Sequence, residues 1–233
     1  LEEVKCEVFA SFVWVNLDPN ATPLADHLGP VAHQIDGYRM EQMHRTHWVT
    51  LEGDWNWKCV QDNFNESYHL PFVHPQTRFV MEQSYKDCQF DLYAPHGHAR
   101  MFMPGSRPAR SLRGHTDTVL EMMAKELTYW GLDPEDFRDD PLRTRAALQR
   151  AKREKGADKG YDFSHFHDAQ LTDHFHYTIF PNISFSLKPD GCIWLRADPH
   201  PTDPERCYFD MWYMTLFPKG ETRYYSQTMR EWV

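Results

Sequence analysis

A short segment that combines a carboxylate, two imidazoles and two prolines constrains this chain more than any other feature. It covers residues 55–75, reads WNWKCVQDNFNESYHLPFVHP, and contains Glu66, His69 and His74. On a helix, Glu66 and His69 lie three positions apart, which is about 300° of rotation, so both side chains leave the same face. These two side chains can therefore share one site.

The two prolines explain how His74 can join that site. On a continuous helix His74 would point well away from His69, because the two are five positions apart. Pro71 has no amide hydrogen and biases the preceding residue toward extended geometry, and Pro75 acts in the same way on His74. The sequence therefore predicts a helix over 55–68 and a bend between the histidines that returns His74 toward His69.

The residue types in this segment favour a transition metal. Two neutral imidazoles with a nearby carboxylate suit Fe(II), Zn(II), Cu(II) or Ni(II), and an iron that reacts with oxygen needs two histidines, one carboxylate and open positions. A bare pair of histidines at this spacing is usually exposed or satisfied by local hydrogen bonds. Here the added carboxylate, the prolines and the aromatic neighbours favour a metal site.

The pattern E-x-x-H-x-x-x-x-H, preceded by N-W-K and D-N-F and followed by proline, resembles the mononuclear iron motif of Rieske-type non-haem iron oxygenases. This family includes the alpha subunits of aromatic ring-hydroxylating dioxygenases, and a looser similarity extends from Val8 to Pro218. The resemblance implies that His69 and His74 are iron ligands. It also implies that Glu66 is the bridging carboxylate that links a ligand histidine to the Rieske cluster of a neighbouring subunit. Most members carry Asp at this position, and Glu66 keeps the charge with one more methylene.

The resemblance also implies a fold and an activity. The fold is α+β, an antiparallel β-sheet flanked by helices in a helix-grip-like arrangement. The activity uses O2 and electrons from NAD(P)H, which pass through a reductase, sometimes a ferredoxin, and a [2Fe–2S] Rieske cluster. The main expectation is cis-dihydroxylation of an aromatic substrate, and the alternative is monooxygenation or demethylation of an aromatic ether or a quaternary amine. Asn63 and Asn182 would contact the substrate, and the assembly would be a homotrimer or an α3β3 hexamer.

The cysteines indicate that the cluster itself is bound elsewhere. A Rieske centre needs two cysteines and two histidines, and the C-x-H and C-x-x-H motifs that supply them are absent from the sequence. The sequence also begins without Met. We expect residues 1–233 to be the mononuclear iron catalytic domain of a longer polypeptide, with the Rieske domain before Leu1. The third iron ligand, a carboxylate, is expected beyond Val233, because Asp198 and Asp210 lack the surroundings of such a ligand.

Composition excludes several other classes of protein. The net charge of −9 and the pI near 5.8 argue against a nucleic-acid partner. The sequence contains no apolar run of about 20 residues and no signal-peptide pattern, so we expect no membrane partner. An odd number of scattered cysteines fits a reducing cytoplasm better than a disulfide scaffold. They are Cys6, Cys59, Cys88, Cys192 and Cys207.

Outside the motif, the hydrophobic patterns predict a sheet and two long helices. Alternating apolar residues and turn signals indicate strands, and apolar residues at helical spacing indicate helices. The expected strand regions are 4–17, 38–51, 79–103 and a three-stranded meander within 178–216. The expected helices are 116–130 and 141–155.

Three alternatives remain at this point. Glu41 and His44 form a second E-x-x-H copy, which is the signature of a di-iron bundle, although residues 39–51 have the composition of a strand. The H-x-H-D string from His165 to Asp168 could belong to a dinuclear zinc site, although pocket lining or a loop that orders over the iron fits residues 163–177 better. The third alternative is a ligand-binding domain without metal.

Overall fold

An eight-stranded sheet and a separate two-stranded hairpin form the framework of the computed structural model, which describes residues 3–221 and the backbone of 227–232. The strands in these residues are β1 Lys5–Phe9, β2 Phe12–Asn16, β3 His44–Gly53, β4 Gln89–Tyr93, β5 His98–Met103, β6 His174–Ile179, β7 Ile183–Lys188, β8 Gly191–Pro199, β9 Cys207–Thr215 and β10 Gln227–Trp232. The helices are α1 Leu24–Leu28, α2 Pro30–Ile35, α3 Trp57–Phe64, α4 Leu70–Val73, α5 Thr116–Tyr129 and α6 Thr144–Lys155.

The large sheet has the strand order β10-β3-β9-β8-β7-β6-β5-β4. Every neighbouring pair is antiparallel except β10 and β3, which are parallel. The expected α+β fold with a predominantly antiparallel sheet and flanking helices is confirmed. In the described part of the chain, no helix combines the length and apolar character that crossing a bilayer requires.

The two faces of the sheet carry different layers, because successive side chains of a strand point to opposite faces. On one face, Trp194 and Phe185 belong to the main core with residues of α1, α2, α5 and α6. On the other face, Leu195 and Ala197 form a smaller core with Val60 of α3. The segment with the E-x-x-H-x-x-x-x-H pattern follows α3, so it lies on this second side.

Most of the predicted elements are present, with shifts at their ends. Residues 4–17 form the paired strands β1 and β2, and the predicted helices 116–130 and 141–155 correspond to α5 and α6. The strand predicted to begin at residue 38 begins at His44 instead. Arg39 has a left-handed backbone with φ of 49°, which interrupts extended structure and leads into a short 3-10 turn.

Candidate metal centre

Helix α3 brings the chain to the site and is shorter than the predicted helix over 55–68. It begins after Asn56, whose side chain accepts a hydrogen bond from the Lys58 amide at 2.9 Å. It ends at Phe64, and the amide of Asn65 closes the last turn on the Asp62 and Gln61 carbonyls. The prediction placed the end of the helix too late.

Glu66 accounts for this early end. One of its carboxylate oxygens, Oε2, accepts a hydrogen bond from the backbone amide of His69 at 3.1 Å. A side chain that satisfies a nearby backbone amide competes with continued helix in this way. A new short helix, α4, then begins after His69, with Pro71 in its first turn, where a missing amide hydrogen costs nothing.

The same carboxylate also fixes the His69 ring. Its other oxygen, Oε1, hydrogen-bonds His69 Nδ1. The side chains of Glu66 and His69 are only 20% and 14% exposed, so the contact is shielded from bulk water. Because Nδ1 is engaged, the second ring nitrogen, Nε2, is the one that can face a metal ion.

The His74 ring lies close to the His69 ring, but the predicted departure from helical backbone between the two histidines is wrong, because Leu70–Val73 forms helix α4. The amides of Val73 and His74 donate to the carbonyls of His69 and Leu70 at 2.8 and 2.9 Å. Thr77 Oγ1 then donates to the His74 carbonyl at 2.8 Å, which fixes the chain after the second histidine. The segment between the histidines is therefore a single helical turn.

The geometry of the two imidazoles fits a shared ion. The centroids of the His69 and His74 rings are 5.6 Å apart, and the ring planes are inclined at 78°. Two imidazole nitrogens about 2.1 Å from one ion place their ring centroids roughly 5 Å apart. These two side chains therefore fit two ligand positions of one metal ion.

The described residues supply no third ligand near this pair. Within residues 3–221 and 227–232, no three His, Cys, Asp or Glu side chains form a group that could hold a metal. Asp198 accepts a hydrogen bond from Asn182 and pairs with Arg196. Asp210 accepts hydrogen bonds from Trp48 and Thr50. The expectation of a third carboxylate beyond Val233 stays a prediction.

The two predicted substrate-contacting asparagines lie in different places. Asn63 is on the exposed side of α3, one position before the half-buried Phe64. Asn182 donates from Nδ2 to the Ala197 carbonyl and to Asp198, and it lines a cavity of about 350 Å³ beside the β1–β2 hairpin. The structure does not bring these two side chains together.

Sequence reasoning missed a group of polar residues on the α3 side of the sheet. They are buried, and they are Gln61, His176, Thr178 and Ser184. Burial lowers the pKa of His176 to about 4. Burial, and next the positive charge of Lys188, lower the pKa of His174 to about 3. Both imidazoles are therefore neutral at pH 7. Alternation along 174–186 could have indicated a shared face, but only the packing of Phe64 against His176 shows that α3 covers that face.

The other metal sites considered from the sequence are not assembled. Glu41 lies in a 3-10 turn and His44 in β3, and the sheet fold rules out a di-iron helical bundle. His165 Nε2 pairs with the Gly37 carbonyl at 2.6 Å, while His174 and His176 belong to β6. No metal-ligating group that includes them occurs in the described residues.

Comparison with known proteins identifies the family to which this fold and histidine pair belong. The sequence model of the ring hydroxylating alpha subunit, catalytic domain, matches residues 40–232. The match covers most of the chain and includes the whole histidine segment. The chain belongs to this family of oxygenase catalytic domains.

Curated relatives match a shorter part of the chain. The oxygenase subunit of carnitine monooxygenase from Escherichia coli strain K12 is 33% identical over 81 residues, which are 32% of this chain and 21% of the relative. The corresponding subunit from Acinetobacter baumannii is 35% identical over 75 residues, which are 31% of this chain and 20% of the relative. The matched region is about one fifth of the length of these relatives.

Solved structures agree on the fold. A quaternary ammonium Rieske monooxygenase in complex with an inhibitor superimposes with a TM-score of 0.57 at 16% identity, over 94% of this chain and 43% of that one. Naphthalene 1,2-dioxygenase with bound indole gives a TM-score of 0.51 at 16% identity, over 94% of this chain and 44% of that one. The chain therefore spans less than half of the length of these structures.

Proposed function

We propose that this chain is the iron-binding part of an oxygenase, with His69 and His74 as two ligands of one Fe(II). The observation that carries the proposal is the pair of imidazole rings 5.6 Å apart, one of them held by Glu66. Imidazole nitrogens suit ferrous iron, and a site with few protein ligands leaves positions open for O2. The bound iron would supply the activation of O2.

The residues of this chain hold and orient the ligands. Glu66 fixes the tautomer of His69 through Nδ1 and directs Nε2 toward the ion, as acceptors of ligand histidines generally do. The bonded turn through Leu70 and Thr77 sets the position of His74. The same proposal has three further parts. They are a third ligand of the iron, a [2Fe–2S] Rieske cluster, and a reductase that oxidises NAD(P)H and passes the electrons on directly or through a ferredoxin.

An oligomer is also part of the proposal. Tyr68, Phe72 and Val73 are exposed by 76%, 84% and 63%, and they follow the partly exposed Glu66 closely in the chain. Exposed apolar side chains in one place are typical of a protein contact. We infer that a neighbouring subunit covers them, in a homotrimer or an α3β3 hexamer, and that Glu66 would link the Rieske cluster of that subunit to the His69 side of the iron site. A solved structure of a quaternary ammonium Rieske monooxygenase is described as revealing inter-subunit electron transfer.

For the substrate, we favour a quaternary amine that is oxidised by a monooxygenase reaction. The carnitine monooxygenase relatives support this alternative over the main expectation from the sequence. Cis-dihydroxylation of an aromatic compound is the second candidate, and the apolar Phe64, Met101 and Met103 on this side of the sheet are the observations in its favour. The two candidates predict different products.

Product analysis separates them. With L-carnitine as the probe, the complete enzyme with its reductase should release one tertiary amine for each O2 consumed. With naphthalene as the probe, the second candidate predicts a cis-dihydrodiol that retains both oxygen atoms of O2. Oxidation of neither probe would leave the iron site to be judged by its metal content.

Metal analysis tests the iron site directly. We expect about one iron per chain beyond any cluster iron, and loss of that iron when His69 and His74 are both replaced by Ala. His33→Ala is the matched control, because His33 is an exposed histidine on α2. Purified protein without iron, or equal iron in the double variant, would reject the proposal.

A further inference from the structure

Four buried polar side chains face the layer between α3 and the sheet. They are Gln61, His176, Thr178 and Ser184, and each is at most 6% exposed. Among the described residues, several of their polar atoms have no hydrogen-bond partner. These atoms are both amide atoms of Gln61, Nε2 of His176, Oγ1 of Thr178 and Oγ of Ser184.

The strand register places three of these residues side by side. Thr178 of β6 lies directly opposite Ser184 of β7, and His176 lies opposite Ser186, whose hydroxyl is 2.8 Å from His176 Nδ1. Residues opposite one another in antiparallel strands point to the same face. His176, Thr178 and Ser184 therefore form one continuous polar surface.

Helix α3 covers this surface. The Phe64 ring stacks on the His176 ring, with centroids 5.5 Å apart and planes inclined at 18°. Gln61 lies three positions before Phe64, so both side chains leave the same side of the helix. The buried amide of Gln61 therefore belongs to the same layer as the three strand residues.

Such an arrangement is costly unless something binds to it. More than nine in ten buried polar groups in folded proteins have a hydrogen-bond partner. Each buried donor or acceptor without a partner destabilises the fold, because it has lost its hydrogen bonds to water. Four such side chains in one layer are more than packing alone explains, and they can receive a ligand with polar atoms.

This layer adjoins the histidine pair. Met101 of β5 lies directly opposite His176, and it packs with Met103 and Leu70 in one apolar cluster. Leu70 follows His69 in the chain. One apolar cluster, which contains Met101 and Leu70, therefore contacts both the polar surface and the segment of the metal ligands.

We propose that Gln61, His176, Thr178 and Ser184 form a polar recognition site for an uncharged hydrogen-bonding group of the substrate, such as a hydroxyl, a ketone or an amide. None of the four carries a charge at pH 7, and a buried charge without a partner would be strongly disfavoured. This inference rests on the proposed function, because it places the substrate beside the iron. Such a site would bind a polar substrate more tightly than a hydrocarbon of the same shape.

A pair of probes of matched shape tests the inference. Pinacolone carries a ketone beside a tert-butyl group, which is the neutral shape analogue of a trimethylammonium group. Its alkene isostere has a methylene in place of the carbonyl oxygen. In ligand-observed NMR titrations, the wild-type chain should bind pinacolone about tenfold more tightly than the alkene. The Thr178→Val/Ser184→Ala variant should bind the two within about twofold of each other.

A matched control excludes a general effect of hydroxyl removal. Thr46 is also buried, and its hydroxyl donates to the Tyr213 carbonyl at 3.1 Å, so Thr46→Val should lower the melting temperature and keep the preference for the ketone. Thr178→Val should not lower the melting temperature, because its hydroxyl has no partner in the described structure. Ser184→Ala alone serves if the double variant does not fold.

Failure of the polar recognition site can be distinguished from failure of the proposed iron site. Iron is measured in the same preparations, and the Thr178→Val/Ser184→Ala variant should retain the wild-type iron content. A chain without iron that still prefers the ketone would reject the iron site and support the polar site. Equal binding of the two probes by the wild type, no saturable binding of either, or an unchanged preference in the variant would overturn the inference.

Discussion

Glu66 shows how one side chain can shape both the backbone and a ligand. Its two oxygens bond the amide and the ring of the same residue, His69. The sequence predicted the shared face of Glu66 and His69 from helical spacing, yet the contact forms in a turn after α3. The pairing was predictable because a Glu66 side chain can reach a residue three positions later. The end of α3 was not predictable, because it depended on the hydrogen bond between Glu66 and the His69 amide.

Removal of the Glu66 charge should separate ligand binding from turnover. In Glu66→Gln, the amide can still contact His69, so we expect iron content close to that of the wild type. Coupled turnover by the complete enzyme should fall by roughly 10–100-fold, as is typical for partners of ligand histidines. Iron analysis and NAD(P)H-dependent product formation check this prediction, and near-normal turnover would show that Glu66 does not bridge the subunits.

His176 makes stability depend on pH. Its folded pKa of about 4 lies below the usual 6.5 because burial disfavours the charged form. The unfolded chain therefore binds more protons between these values, and the free energy of unfolding falls as the pH falls through this window. The stabilisation is complete above about pH 6.5.

A variant without this titration should lose part of the pH dependence. The imidazole of His176 should account for about 2 kcal/mol of the stability lost between pH 7 and pH 5. In His176→Phe, which keeps a ring against Phe64, the loss over this interval should be smaller by that amount. Urea unfolding at both pH values measures the difference, and parallel losses in the two proteins would contradict the assigned pKa.

At the scale of elements, the sequence predicted the strands and long helices well but not all of their ends. The apolar stripe of α5 and the turn at 189–191 have local causes, so they could be read directly. The start of β3 at His44 depended on the left-handed Arg39, which no pattern indicates. The cluster of Gln61 with the β6 and β7 side chains depends on long-range packing, and one sequence does not encode such contacts locally.

The cap of α3 should matter for the metal site as well as for stability. Asn56→Ala removes the hydrogen bond to the Lys58 amide and should cost about 1 kcal/mol, or about 2–4 °C in melting temperature. Asp140→Ala removes a similar bond to the Leu142 amide before α6 and is the control. Both variants should melt earlier, but only Asn56→Ala should weaken iron binding, by a few-fold. Equal iron affinities would show that α3 does not position the ligands.

In the whole molecule, the two faces of the sheet have different roles, stability on one side and the candidate site on the other. One face packs against α1, α2, α5 and α6 in the main core, and the other carries α3, the polar cluster and the histidine segment. The motif alone indicated the family, because its spacing within nine residues is set locally. The third ligand, the cluster domain and the subunit arrangement involve chain or contacts outside the described residues, so they remain predictions.

The proposed function depends above all on the coordination of one ferrous ion by both His69 and His74. Electron spin echo envelope modulation of the Fe(II)–nitric oxide adduct measures it most directly, because it detects the nitrogens of coordinated imidazoles. The wild type should show two coordinated imidazoles, and any iron that His69→Ala or His74→Ala retains should show one fewer. A wild-type spectrum without imidazole coupling, or one unchanged in both variants, would contradict this coordination.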